Sequence, residues 1–235
     1  MRVTVVVPVY NEEDNILPLA EEFDRLYLQN PELDVIFVDD GSTDRTPERL
    51  REGAARFPFL HAFRTVRNCG QTAAMLSGLR RAQGDVVVTM DGDLQNNPAD
   101  IPQLVAQLDR YDAVCGYRAK RRDSWSRRAA SRIGNGVRNW FTHDGIRDTG
   151  CSLKAFRREC VADLPPVNGA HRFMPAYFKI HGRRIVEVPV DHRPRQHGTS
   201  KYTNLKRLPR TVFDLIGFVW YRQRLLQPAE LEALQ

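Results

Sequence analysis

Two short acidic clusters are the residues in this chain best suited to chemistry. Asp91-Gly92-Asp93 follows a run of valines, and Asp39-Asp40-Gly41-Ser42 follows Val35-Ile36-Phe37-Val38. Two carboxylates separated by one small residue, at the end of a buried strand, can approach a divalent cation that also binds a diphosphate. All-oxygen ligation suits Mg2+ or Mn2+, which complete their shells with phosphate oxygens and water. Gln95 can add a carbonyl oxygen, so Asp91, Asp93 and Gln95 form the candidate metal set. A cation there would neutralise charge building up on a departing nucleoside diphosphate. The carboxylate of Asp39 can accept hydrogen bonds from a base's ring N–H or from a ribose hydroxyl. Acidic turns after strands are common, and Thr43 or Asp44 could use the second turn simply to cap a helix. The two clusters gain weight only if the fold brings them to one place.

The spacing of apolar residues predicts that it does. Strands are expected at Val3–Val7, Val35–Val38, Leu60–Val66, Asp85–Met90 and Ala113–Gly116. Between them, helical periodicity covers Glu12–Leu28, a segment ending near Ala55, Thr72–Ala82 and Pro98–Leu108. Repeated strand–helix units imply an α/β fold, a mostly parallel mixed sheet with helices on both faces. Such sheets bind ligands beyond the carboxyl ends of their strands. Pro8–Glu12, Asp39–Ser42, Asn68–Gly70 and Asp91–Gln95 all fall there. The second half is less regular: a basic amphipathic helix over Ser124–Phe141 and a strand at Val186–Val190 are expected. A final helix over Leu205–Arg224 would carry Leu205, Leu208, Val212, Leu215, Ile216 and Val219 on one face.

The 235 residues, 42% hydrophobic and 27% charged, suffice for one large domain or a domain with an appendage. The pattern divides into residues 1–117, 118–204 and a tail over 205–235. The net charge of +6 is uneven: residues 118–138 hold eight basic side chains against Asp123, and 193–224 hold eight against Asp214. Clustering of this kind implies an anionic partner. Four scattered cysteines without a CxxC pair read as reduced, mostly buried side chains rather than zinc ligands or disulfides. No apolar run approaches the roughly 18–20 residues of a membrane span, and Met1-Arg2-Val3-Thr4-Val5 lacks the build of a signal peptide. A cytosolic location is the expectation.

Four motifs carry a family resemblance. Pro8-Val9-Tyr10-Asn11-Glu12, Val38-Asp39-Asp40-Gly41-Ser42-Thr43-Asp44, Asp91-Gly92-Asp93-Leu94-Gln95 and Gly198-Thr199-Ser200-Lys201-Tyr202 resemble inverting family-2 glycosyltransferases of the dolichyl-phosphate mannose synthase type. Asp123-Ser124-Trp125, Asp148-Thr149-Gly150-Cys151 and Ser200-Lys201-Tyr202 are similar to undecaprenyl-phosphate aminoarabinose-type transferases. The likeness covers roughly residues 3–215, which makes chance matching a poor explanation.

The resemblance implies a GT-A fold, a nucleoside-diphosphate sugar donor, Mg2+ or Mn2+ as cofactor, and a polyprenyl phosphate acceptor. It places Pro8, Tyr10, Glu12 and Asp39 on the nucleoside, and Asp91, Gly92, Asp93 and Gln95 on metal and diphosphate. Lys179, Arg195 and Lys201 would grip the donor from the second half, and Arg118, Arg127 and Ser131 would receive the acceptor phosphate. The spacing of Arg127 and Ser131, four apart, would put both on one helix face, and arginine contacts phosphate through two parallel hydrogen bonds. A phosphate acceptor is already anionic and needs no strong base. A hydroxyl of a polysaccharide or glycolipid, the alternative acceptor, would need one, and Asp148 is the candidate; its other role is to hold the turn at Gly150.

Relatives of this type commonly carry transmembrane helices after the catalytic region. Here the last helix offers Phe213, Leu215, Ile216, Phe218, Val219, Trp220 and Tyr221 beside Arg207, Arg210, Arg222 and Arg224. That mixture fits either a helix lying in a membrane interface or ordinary core packing. A peripheral position at the cytosolic membrane face, or a membrane-anchored partner, follows as an expectation. Other classes fit less well. A dinucleotide-dependent dehydrogenase would place GxGxxG after the first strand, and a nucleotidyltransferase a Gly-rich loop, where Pro8–Glu12 stands. A nucleic-acid partner leaves the acidic clusters unexplained, because acidic edges repel phosphate.

Overall fold

The computed structural model describes residues 1–119, 134, 136, 138–194 and 204–226, the last group by backbone alone over 204–211. Seven strands form one sheet: β1 (Val3–Val9), β2 (Leu33–Asp39), β3 (Leu60–Arg64), β4 (Val86–Thr89), β5 (Ala113–Arg118), β6 (Lys154–Arg157) and β7 (Ile185–Val190). They lie in the order β3-β2-β1-β4-β6-β5-β7. β6 pairs antiparallel with both β4 and β5, and every other pairing is parallel. The expected mixed, mostly parallel sheet is what forms, and it runs continuously from the first half of the chain into the second.

Strand alternation sorts the valines of the centre onto two faces. Val3, Val5, Val7 and Val9 of β1 join one core with Leu33, Val35 and Phe37 of β2 and Val86 and Val88 of β4. Val6, Ile36, Val38 and Val87 point into a second core. Because both faces are covered, these strands read as unbroken apolar runs. Helices α1 (Ile16–Tyr27), α2 (Thr46–Arg56) and α4 (Ile101–Val105) close the first core through Ile16, Leu19, Phe23, Leu50 and Leu104. Helices α3 (Gln71–Leu79), α6 (Met174–Ile180) and α7 (Asn204–Arg224) close the second through Met75, Tyr177, Phe178 and Phe218. Between them a helical segment, α5, covers 138–142.

The structure corrects several sequence expectations. The helix expected over Pro98–Leu108 is three pieces, with 3-10 turns at Pro98–Asp100 and Ala106–Asp109 around the short α4. The third strand ends at Arg64 rather than Val66. β6 and α6 were not legible as elements. Most of the expected Ser124–Phe141 helix lies outside the described residues. The final helix forms over nearly its expected span, and of the apolar face expected on it Val212 and Ile216 are 47% and 60% exposed. Among the described residues, no helix is long and apolar enough to cross a membrane. Cys115, Cys151 and Cys160 are buried and free, and Cys69 is free and exposed. Loss of hydration pushes the Cys115 and Cys160 thiols up to about 12, so both stay protonated and inert at neutral pH.

Candidate active site

The turns after β1 and β2 are stitched together before any ligand is considered. Asn11, at φ 51, donates its N–H to Ser42 Oγ at 2.8 Å, and Thr43 N–H donates to Asn11 Oδ1 at 2.8 Å. Glu12 N–H reaches Thr46 Oγ1 at 2.8 Å, while its carboxylate accepts from Asn15 Nδ2 at 2.6 Å. Gly41 sits at φ +70, and a Cβ there would meet Asn68 N at 2.6 Å, so only glycine lets the loops approach this closely. Asp44 accepts from Thr46 N–H at 3.0 Å in a tight turn just before α2, whose N-cap position falls on Arg45 without a side-chain cap, one residue beyond the Thr43 or Asp44 cap expected.

Two neighbouring aspartates divide the work at the end of β2. Asp40 is structural: its oxygens accept from Cys69 N–H and Gly70 N–H, each at 2.8 Å, and tie down the loop before α3. Asp39 is fully buried, and its Oδ1 accepts from Ser42 N–H at 2.9 Å. Its Oδ2 has no hydrogen-bond partner among the described residues. Arg64 Nε lies 3.2 Å from that oxygen, but outside hydrogen-bonding geometry. A buried carboxylate oxygen without a donor is costly to keep, and an N–H or hydroxyl donor from a ligand would satisfy it. Pro8 on β1 and Tyr10 just past its end are both half-buried; Pro8 pairs with Val38 and Val9 with Asp39.

β4 delivers the second acidic turn to the same edge of the sheet. Asp93 is buried and Asp91 half-buried. Asp91 Oδ1 accepts from Gln71 Nε2 at 2.9 Å, and Asp93 Oδ1 accepts from Gln95 N–H at 3.2 Å. Gly92 faces β1 so closely that a Cβ would lie 2.5 Å from Val9 Cγ1. Leu94 takes φ 61, a strained backbone for a branched side chain. Gln95 is held from the end of β7: Arg193 N–H donates to its carbonyl at 2.8 Å, and Arg193 pairs with Glu22 at 2.5 Å. Among the described residues no three of His, Cys, Asp and Glu group as a metal centre by themselves. The donor set that is present, two carboxylates on one tight turn with an amide beside them, fits a hard cation that takes its other ligands from diphosphate and water.

The second half contributes a different kind of group. Arg118, at the end of β5, makes a bidentate pair with Asp148 at 2.7 Å through both Nε and Nη2, and its own N–H reaches Asp148 Oδ2 at 3.1 Å. Glu187 of β7 supports that segment, accepting from Arg147 N–H at 3.0 Å and Asp148 N–H at 3.3 Å. The same carboxylate raises the pKa of Arg147 by a hydrogen bond. Both oxygens of Asp148 are thus engaged by Arg118, and the carboxylate serves to orient that guanidinium. Lys179 stands on the last turn of α6 with its ammonium 3.4 Å from the Asp144 carbonyl. This groups it with Arg138, whose guanidinium clasps the buried Asp144 at 3.1 Å. Arg127, Ser131, Arg195 and Lys201 lie outside the described residues.

Sequence reading missed the polar supports. Gln71, Ser152 and Asn96 touch the Asp91–Asp93 turn or brace it, and Lys154, buried at the start of β6, donates to the Cys151 carbonyl. None carries a motif; Gln71 had one usable signal, its place directly after the Asn68–Gly70 turn.

Comparison with known proteins bears on this geometry. The model for Glycosyl transferase family 2 matches residues 4–164. The undecaprenyl-phosphate 4-deoxy-4-formamido-L-arabinose transferase of Edwardsiella ictaluri is 39% identical over 218 residues, covering 91% of this chain and 66% of that protein. The dodecaprenyl-phosphate galacturonate synthase of Rhizobium johnstonii is 36% identical over 235 residues, covering 97% and 69%. The chain thus spans about two thirds of the length of these relatives. Among solved structures, a mannosyltransferase from Pyrobaculum calidifontis in complex with GDP-Man and Mn2+ is 28% identical, with a TM-score of 0.60 over 80% of this chain and 55% of that one. Glucosyl-3-phosphoglycerate synthase from Mycobacterium tuberculosis superimposes with a TM-score of 0.72 over 96% of this chain and 80% of that one, at 19% identity, which speaks to the GT-A-like fold.

Proposed function

The chain belongs to glycosyl transferase family 2, and from that premise we propose that it moves a sugar from a GDP- or UDP-linked donor to a polyprenyl phosphate at a membrane surface. The observation that carries this reading is the meeting, at one sheet edge, of the buried Asp39 and the Asp91–Asp93 turn. Both relatives above are named for transfer to a polyprenyl phosphate, and the mannosyltransferase was solved with a nucleotide sugar and Mn2+.

In this reading Asp39 takes a donor hydrogen from the nucleoside at its buried Oδ2, with Pro8, Tyr10 and Glu12 lining the same turn. Asp91 and Asp93, with Gln95, hold Mg2+ or Mn2+, which when bound neutralises charge on the diphosphate. Arg195 and Lys201 are assigned to the same diphosphate by the family resemblance. Arg118, Arg127 and Ser131 orient the acceptor phosphate. The acceptor oxygen displaces the nucleoside diphosphate in line at the anomeric carbon: one C–O bond forms as the other breaks, and the centre inverts. The acceptor is already anionic, so the residues supply alignment and charge stabilisation rather than a base.

The outer face of α7 supports the membrane position. Val212, Phe213, Ile216 and Trp220 are 47%, 74%, 60% and 62% exposed, while Phe218 on the inner face is buried against Phe173 and Tyr177. Trp140 is also exposed, and its neighbour Phe141 is tied to α7 by Arg222 at 2.8 Å. An apolar, aromatic stripe on a basic chain suits the interface of an anionic leaflet such as the cytosolic one. The test is a screen of GDP- and UDP-sugars with undecaprenyl phosphate and Mn2+, measuring label in the lipid fraction. Lipid-linked product from one donor is expected; no product from any donor, with nucleotide binding absent as well, would overturn the reading.

A further inference from the structure

The metal turn after β4 is strained at Leu94, and a strained turn persists only where its surroundings over-determine it. β4 pairs with β6 only as far as Thr89 opposite Lys154, so the N–H of Asp91 lies past the last rung of that ladder. A partly buried N–H beyond a ladder is left to find another acceptor. Ser152 supplies it. Its Oγ accepts from Asp91 N–H at 3.2 Å and from Asn96 Nδ2 at 2.8 Å, so one oxygen clasps the turn before and after Leu94. Ser152 is itself fixed: its carbonyl accepts from Thr89 Oγ1 at 2.9 Å, and the preceding Cys151 carbonyl accepts from the buried Lys154. The same short segment begins at Asp148, which holds Arg118.

We propose that Ser152 is a positioning residue for the metal turn, setting the separation of the Asp91 and Asp93 carboxylates and so the affinity for cation and diphosphate together. This rests on the donor reading above. It assigns a role to a side chain that touches neither donor nor acceptor in that reading.

The test measures binding of GDP and of UDP by calorimetry, each in Mn2+ and in EDTA, for the wild type, Ser152→Ala, Ser152→Thr and Asn96→Ala. The metal-linked part of the affinity is expected to fall roughly tenfold in Ser152→Ala, the loss of about two ordinary hydrogen bonds. It should fall about threefold in Asn96→Ala and return to near the wild-type value in Ser152→Thr, which keeps the hydroxyl. Binding in EDTA should not change, a separation that a merely structural role would not produce. An unchanged metal-linked affinity in Ser152→Ala, or an equal loss with and without metal, overturns the proposal alone. If Ser152→Ala does not fold, Asn96→Ala decides in the same way. Absence of metal-linked binding in the wild type overturns the donor reading, and this inference with it.

Discussion

The two halves of the site are built by different means. On the β1–β2–β4 side, the candidate carboxylates stand at the last residue of β2 and in the turn just after β4, and neighbouring turns hold one another through short contacts such as Asn11 to Ser42. On the β5–β7 side, Arg118 is positioned by Asp148, 30 positions on, and Asp148 in turn by Glu187, a further 39 positions on. In the first arrangement the turns are held by backbone N–H groups bonded to the side chains of Ser42, Asp40 and Ser152, so loss of the Asp91 or Asp93 carboxylate is tolerated. The second is a chain of buried charges in which every member is also a structural prop.

The sharpest way to break this contrast is at the metal turn. Asp91→Asn and Asp93→Asn should each reduce transfer to background and leave the free energy of unfolding within about 0.5 kcal/mol of wild type, since no core packing changes. Full turnover by either variant, or by wild type in excess EDTA, contradicts the metal assignment. On the other side, Asp148→Asn removes the charge partner of Arg118 in a setting where both are largely buried. Stability should fall by on the order of 2–3 kcal/mol, seen in urea unfolding, together with a raised KM for the lipid acceptor. A variant that loses activity at wild-type stability would show Asp148 to be part of the chemistry instead.

How far the sequence could be read follows the same division. Val3–Val9, Val35–Val38 and Val86–Thr89 announce themselves because a strand buried on both faces must be apolar throughout, and the polar residues after each strand mark the ligand edge. Asp39 and Asp91–Asp93 were therefore legible as a pair. β6 was not: Lys154-Ala155-Phe156-Arg157 is short, carries a buried lysine and shows no clean period. Gln71, Ser152 and Asn96 were hidden because their roles arise from pairings across 20, 61 and 56 positions. α7 is the mixed case. Core packing and an exposed apolar stripe were competing expectations, and each describes one face of the helix.

Smaller effects sharpen the acceptor side further. Arg127→Ala should raise the acceptor KM by a factor corresponding to about 1.5–3 kcal/mol, the range for a charge-assisted hydrogen bond, with the donor KM unchanged. A rise confined to the donor would place Arg127 on the diphosphate. The smallest change expected in the fold is in Phe213→Ser combined with Trp220→Ser: stability within about 0.5 kcal/mol, but weaker, salt-sensitive co-sedimentation with anionic vesicles. Equal binding to neutral and anionic vesicles, indifferent to salt and to these substitutions, would point to a membrane-anchored partner.

The central claim of the proposal is that the nucleophile is a phosphate oxygen, which calls for an orienting arginine rather than a base. It is tested most directly by offering the enzyme undecaprenyl phosphate and undecaprenol side by side, with the same nucleotide sugar and Mn2+, and measuring glycosylated lipid. The account predicts product from the phosphate alone, with the anomeric configuration inverted relative to the donor. Comparable transfer to the alcohol would contradict it, and would return Asp148 to consideration as a base.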